Sequence, residues 1–129
     1  MNTENARSML DGLLSRAKAK GADAADALIV DSTSLSHAER LGQTEQLERS
    51  EARDLGVRVF FGKRQAVAST NDWDNAMLDE LVERAIAMAK AVPEDPFCGI
   101  ADPDQLLKDT PPDLDTFDPT EPTPEDLIA

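Results

Sequence analysis

Four groups of residues have side chains that could do chemistry. The first is Gly62-Lys63-Arg64-Gln65, at the end of the most hydrophobic run in the chain. A phosphate-binding loop needs glycine-rich backbone N–H groups and a lysine followed by Ser or Thr, after a strand and before a helix. Here Lys63 is followed by Arg64, no second glycine is near, and strand-like sequence continues on both sides. A two-residue hairpin turn with glycine first, the type II′ pattern, is the better reading. The second group is His37-Ala38-Glu39, which holds the only histidine. Two residues apart on a strand, the imidazole and carboxylate share a face. Catalytic zinc commonly takes three protein ligands, so the pair reads as exposed strand residues rather than a ligand set. The third is Cys98, whose nearest charged neighbours are the acids Glu94 and Asp95. Without a base beside it, the thiol reads as inert or partly buried, not as a nucleophile. The fourth is the run Glu45, Glu48, Glu51 and Asp54 with Arg49 and Arg53 interleaved. Paired carboxylates do acid–base work when their environments differ. Nothing in this pattern predicts burial, so cross-strand ion pairs on a wet sheet face are expected. The sequence therefore offers no catalytic, cofactor-binding or metal-ligating set.

These residues depend on a small number of elements. Ala6, Met9, Leu10, Leu13, Leu14 and Ala17 recur at helical spacing and predict a first helix over about Thr3 to Ala19, with Gly21 as its stop. The period then changes to two. "ADALIVDS", "LSHAERL", "TEQLERS", "LGVRVFFG" and "RQAVAST" read as five strands. A turn is expected at Gly42-Gln43 and another at Gly62-Lys63. The second and third strands are polar at most positions and read as a solvated or edge hairpin. A second helix is predicted from about Asn75 to Ala91, with Asp74 as its capping side chain and Trp73 and Leu78 as a hydrophobic staple. Its apolar face is wide, running from Met77 to Ala89. The expected class is α+β: an antiparallel meander of about five strands, with both helices packed on one face.

Composition divides the chain once. Residues 1–92 carry 15 acidic and 12 basic side chains, whereas residues 93–129 carry 11 acidic side chains and one lysine. All 8 prolines lie in the second part. Residues 1–92 thus read as one folded α/β domain, and residues 93–129 as an extended acidic connector. The near balance of charge in the first part and the negative second part both oppose a nucleic-acid partner, which needs clustered Lys and Arg. The N-terminus has no apolar signal run, and no stretch reaches the roughly 20 apolar residues that span a bilayer. One cysteine cannot form an intramolecular disulfide, which fits a reducing, cytoplasmic setting. Thr123-Pro124-Glu125-Asp126 has the form of a helix start. The helix it announces is not completed, so a piece of a longer protein is expected.

Longer stretches carry a resemblance. "GADAADALIVDSTSLS", "GQTEQLERSEARDLGVRVFFGKRQAVAST" and "DELVERAIAMAKAVPEDPFCGIADPDQLL" resemble, in order, the N-terminal domain of the PmbA/TldD family. "DTPPDLDTFDPTEPTPEDLI" is similar to its PmbA branch. The resemblance implies a two-domain cytoplasmic protein linked to proteolysis and peptide maturation, under the older label of modulator of DNA gyrase. It also implies a zinc motif, His-Glu-x-x-x-His, in the C-terminal part of the TldD branch, with PmbA-like chains acting as partner subunits. No His-Glu pair occurs in this sequence, so no zinc ligand or general base carries over to a numbered position. Zinc is expected only in a TldD-like partner. The implied partners are a C-terminal domain, a TldD-like subunit or a second copy, and extended peptides. No membrane or nucleic acid is implied.

Three functions follow as expectations. The leading one is a non-catalytic framework that presents peptides along the polar edge of residues 34–50. The competing one is a stand-alone acidic module, such as a DNA mimic. A self-sufficient hydrolase is the weakest, because it lacks a nucleophile–base pair.

Overall fold

A computed structural model describes residues 2–128. The elements run α1 (Thr3–Ala19), β1 (Ala24–Arg40), β2 (Gln43–Phe61), β3 (Arg64–Thr70), α2 (Asn75–Ala91) and a short α3 (Pro124–Ile128). The class is α+β, with one three-stranded antiparallel sheet in the order β1-β2-β3. Both long helices fall where the apolar spacing predicts them.

Among the described residues the five expected strands are three. "ADALIVDS" and "LSHAERL" belong to one continuous β1, and "TEQLERS" and "LGVRVFFG" to one β2. The polar stretches between them look like breaks because they lack alternation. A ladder is made of backbone N–H and C=O groups, however, and it continues where side chains face water. The β1–β2 turn is Leu41-Gly42 rather than Gly42-Gln43, and Gln43 already belongs to β2. Leu41 (φ 53°) and Gly42 (φ 74°) are both left-handed, as a type I′ hairpin requires. At the β2–β3 turn Gly62 has φ 58° and Lys63 does not share the positive sign, which fits the expected type II′ bend. The register from Leu55↔Thr70 to Phe61↔Arg64 closes on that bend.

The packing forms two compact units, which is a different partition from the composition break at Pro93. One contains residues 2–32 and 52–100, the other residues 33–51 and 101–128. In the first, Leu55, Val57 and Val59 of β2 and Ala66 and Ala68 of β3 face Leu13 and Ala17 of α1 and the buried face of α2. Ala25, Ala27 and Ile29 of β1 pack at the margin of this core, while Leu28 and Val30 point away from it. Burial of aliphatic side chains supplies the stability here, at about 25 cal/mol per Å² of apolar surface. Polar ties orient the two helices. Arg16 Nε donates to Asp79 (2.9 Å), Arg16 Nη2 to Asn75 (2.9 Å), and Lys20 Nζ to Glu83 (2.7 Å).

The helix ends show which local signals operate. α1 stops in a Schellman motif. Ala22 N–H donates to Ala17 O and Gly21 N–H to Lys18 O, with Gly21 at φ 93°. Asp74 occupies the N-cap position of α2, but its side chain makes no capping bond. Its own N–H is held by Asp72 Oδ1 (3.1 Å), and only its carbonyl serves the helix, accepting from Leu78 N–H. Trp73 packs on the core that contains Leu78, consistent with the staple.

The second unit consists of the far part of the β1–β2 ribbon and the segment from Ala101 onward. Outside α3, residues 101–123 form no helix or strand.

Candidate functional site

The Gly62–Arg64 bend is held by the chain itself. Asp23 accepts the Gly62 N–H through Oδ2 (2.7 Å), while its own N–H donates to Phe60 O (2.9 Å). On the other side, Asp95 N–H donates to Lys63 O (2.8 Å) and Lys63 Nζ donates to Cys98 O (3.1 Å). Arg64 Nη1 donates to Lys90 O (3.3 Å), and Arg64 lies 3.8 Å from Glu94. Each of the three residues thus has backbone or side-chain partners within the first unit. The two cations of the bend point back onto the chain's own carbonyls, which satisfies polar groups at a turn and a helix end.

Cys98 is buried, and its N–H donates to Asp95 O (3.0 Å). That turn carries the chain past the bend.

A polar pair missed by the sequence reading lies on the adjacent strands. Arg58 forms a two-pronged contact with Asp26: Nε reaches Oδ1 (3.0 Å) and Oδ2 (3.1 Å), and Nη2 also donates to Oδ2. The hydrogen bonds to Asp26 hold the Arg58 guanidinium above its ordinary pKa, against a smaller opposing effect of burial. The Arg58 guanidinium also lies 5.0 Å from the centre of the Phe60 ring. Both side chains remain more than a third exposed, so solvent screens the pair and it adds little stability. Asp26 and Arg58 lie far apart in sequence on strands of unknown register, and no local signal could have joined them.

The acidic run on β2 makes the expected wet ion pairs, only some of them across strands. Arg53 pairs with Asp31 (3.3 Å) and Arg40 with Glu45 (3.8 Å) between β1 and β2. Arg49 instead pairs along its own strand with Glu51 (3.3 Å), and Gln46 donates to Glu48 (2.9 Å).

His37 departs most from expectation. The sequence reading makes it an exposed strand residue, yet its side chain is only 6% exposed. Nε2 lies 2.9 Å from Thr44 Oγ1 and Nδ1 lies 3.0 Å from Leu127 O. One of its two partners lies 90 positions away in sequence, which strand periodicity cannot reveal. Glu39 stands 3.9 Å from Nε2. With both ring nitrogens engaged and one carboxylate nearby, these residues do not fit a zinc ion. Among the described residues, no three His, Cys, Asp or Glu side chains come together as a metal site.

The remaining candidate is backbone. β3 pairs with Leu55–Phe61 only, so Gln43–Asp54 of β2 pairs with β1 alone, and β1 is itself an edge strand. The ribbon therefore has open N–H and C=O groups along both sides among the described strands, a surface able to bind another extended chain.

Residues 25–89 match the family model described as PmbA/TldA metallopeptidase domain 1. The chain belongs to the PmbA/TldD family. It is 32% identical over 106 residues to metalloprotease PmbA of Escherichia coli O157:H7, a match covering 82% of this chain and 23% of that protein. It is also 32% identical over 98 residues to the PmbA homolog of Haemophilus influenzae, with 76% and 22% covered. Among solved structures, a Bacteroides thetaiotaomicron protein described as a modulator of DNA gyrase superposes with a TM-score of 0.77 at 22% identity, over 88% of this chain and 25% of that one. TldE from Thermococcus kodakarensis gives 0.69 at 17% identity, over 91% and 26%. At those identities the likeness concerns the fold. The chain spans less than a quarter of the length of its PmbA relatives. No helix among the described residues is long and apolar enough to cross a membrane.

Proposed function

We propose that this PmbA/TldD-family domain is a non-catalytic framework in a cytoplasmic PmbA-like subunit. In this reading it works within a zinc metalloprotease assembly that carries out proteolysis and peptide maturation. The zinc belongs to a TldD-like partner, and the domain presents extended peptides along its ribbon. One observation carries the reading. The polar groups that looked reactive are bonded to the chain's own backbone or to neighbouring side chains, whereas residues 34–50 offer open strand edges. Backbone pairing binds peptides with little regard to sequence, which suits the handling of varied substrates. The partners proposed are the rest of a PmbA-like chain and a TldD-like subunit or second copy.

An unstructured peptide bearing a photo-activated cross-linker tests this on the full chain. Adducts are expected within residues 34–50, and adducts confined to other residues would reject peptide presentation. In the same mixture supplied with zinc, peptide hydrolysis by the purified chain would reject a non-catalytic role.

A further inference from the structure

Every buried hydrophobic residue among those described lies in the first unit, and none lies between 33 and 51 or between 101 and 128. A two-stranded ribbon without an apolar core is marginally stable in water. The His37 side chain is nevertheless only 6% exposed, and its contacts are specific. A carbonyl oxygen only accepts, so the 3.0 Å contact to Leu127 O places the proton of the neutral ring on Nδ1. Nε2 then accepts from the Thr44 hydroxyl at 2.9 Å. The ring is bonded on one side to the ribbon's own partner strand and on the other to α3.

α3 is prepared for this contact by its own residues. The N–H and Oγ1 of Thr123 both donate to Asp126 Oδ2 (2.7 Å each), and Asp126 N–H returns a bond to Thr123 Oγ1 (3.3 Å). This reciprocal box satisfies free donors at the first turn without help from the ribbon. Just upstream, Thr120, Glu121 and Pro122 line a cleft of about 300 Å³ with Thr33, Leu35 and Arg49. The same short segment therefore meets the ribbon at two places, the cleft and the His37 ring.

We propose that residues 120–128 form a strap over the Leu35–His37 side of the ribbon, preformed by the Thr123–Asp126 box and latched by the Leu127 carbonyl on His37. The strap substitutes for an apolar core: it orders the ribbon by fixing one imidazole rather than by burying a face. It also makes that side conditional, since any segment seeking the His37 surface must first displace Leu127. The strap is a property of the free chain and holds whether or not the ribbon accepts peptides.

His37 is the only histidine, so an imidazole-selective acylating reagent such as diethyl pyrocarbonate reports on it alone. In the full chain at neutral pH the ring is expected to react far more slowly than free imidazole. Nitrogen-15 spectra are expected to show the Nδ1–H tautomer. In a variant carrying Thr123→Ala and Asp126→Ala, the reaction is expected to quicken about tenfold, the scale of losing one hydrogen bond together with its local order. Amides of residues 33–51 lose exchange protection in that variant, while those of α1 and α2 keep theirs. An Nε2–H tautomer in the unaltered chain, or an unchanged acylation rate in the double variant, would overturn the strap.

Discussion

Along β2, Leu55, Val57 and Val59 are wholly withdrawn from solvent, whereas every residue from Gln43 to Asp54 remains exposed. One strand thus passes through two regimes. In its second half a sheet face meets two helices, and the ladder is supported by side chains that have left water. In its first half the ladder stands on backbone hydrogen bonds, exposed ion pairs and the contacts around His37. An intramolecular hydrogen bond adds only about 0.5–1.5 kcal/mol net, and an exposed ion pair less. Regular secondary structure is therefore a poor guide to local stability. The first unit is expected to open only with global unfolding, and the ribbon by local excursions at much lower cost.

The most severe way to break this contrast is to remove matched side chains from the two regions. Leu81, 1% exposed in α2, should cost about 2–5 kcal/mol when replaced by alanine, because a cavity is left in a close-packed site. Leu47→Ala in the ribbon, at a residue 45% exposed, should stay within about 0.5 kcal/mol. Urea denaturation followed by circular dichroism measures both. Comparable losses would show that the ribbon shares the core's stability.

A smaller effect sharpens the contrast from the other side. Leu41 is 98% exposed and held at φ 53°, a conformation that costs a side-chain-bearing residue about 1–2 kcal/mol. Asparagine tolerates it better and pairs with the following glycine as the favoured type I′ sequence. Leu41→Asn should slow hydrogen exchange in residues 33–51 by a few-fold and leave α2 unchanged. Slowing in both regions would mean that they open together.

The smallest effect is acid. The bonds from Thr123, chiefly from its backbone N–H, hold the Asp126 carboxyl below its ordinary value of 3.8. A lowered folded-state pKa stabilises the box above the unfolded value, and that contribution is lost as pH falls through the folded one. Below about pH 3.8 the α3 amides should lose protection, with α1 and α2 following only in stronger acid. Proton titration of the Asp126 side chain by NMR checks the order, and simultaneous loss would contradict two independent regimes.

Much of the first unit was legible because its signals are periodic and local. Seven or more apolar residues on a helical stripe mark α2, Gly21 marks the end of α1, and Gly62 marks the tighter hairpin. The chemistry of the bend was legible as well, since a lysine without the glycines and hydroxyl of a phosphate loop points to a turn. The ribbon is less legible. Its strands carry no alternation strong enough to show that they are continuous with their apolar neighbours, and Leu41 is not a residue that announces a left-handed turn. His37 and the Arg58–Asp26 pair were beyond reach, because their partners are set by register and by a distant segment.

By itself the order of residues determined the two long helices, the alternating core face of β2, the Gly62 bend and membership of the PmbA/TldD family. All of these follow from preferences expressed within a few residues, or from similarity along the chain. Tertiary structure alone decided that five apparent strands are three, that Asp23, Asp95 and Cys98 brace the bend, and that the lone imidazole is covered. Those outcomes depend on which backbones lie side by side in space. Hydrogen bonds of a few ångströms' reach cannot be inferred before that proximity is known.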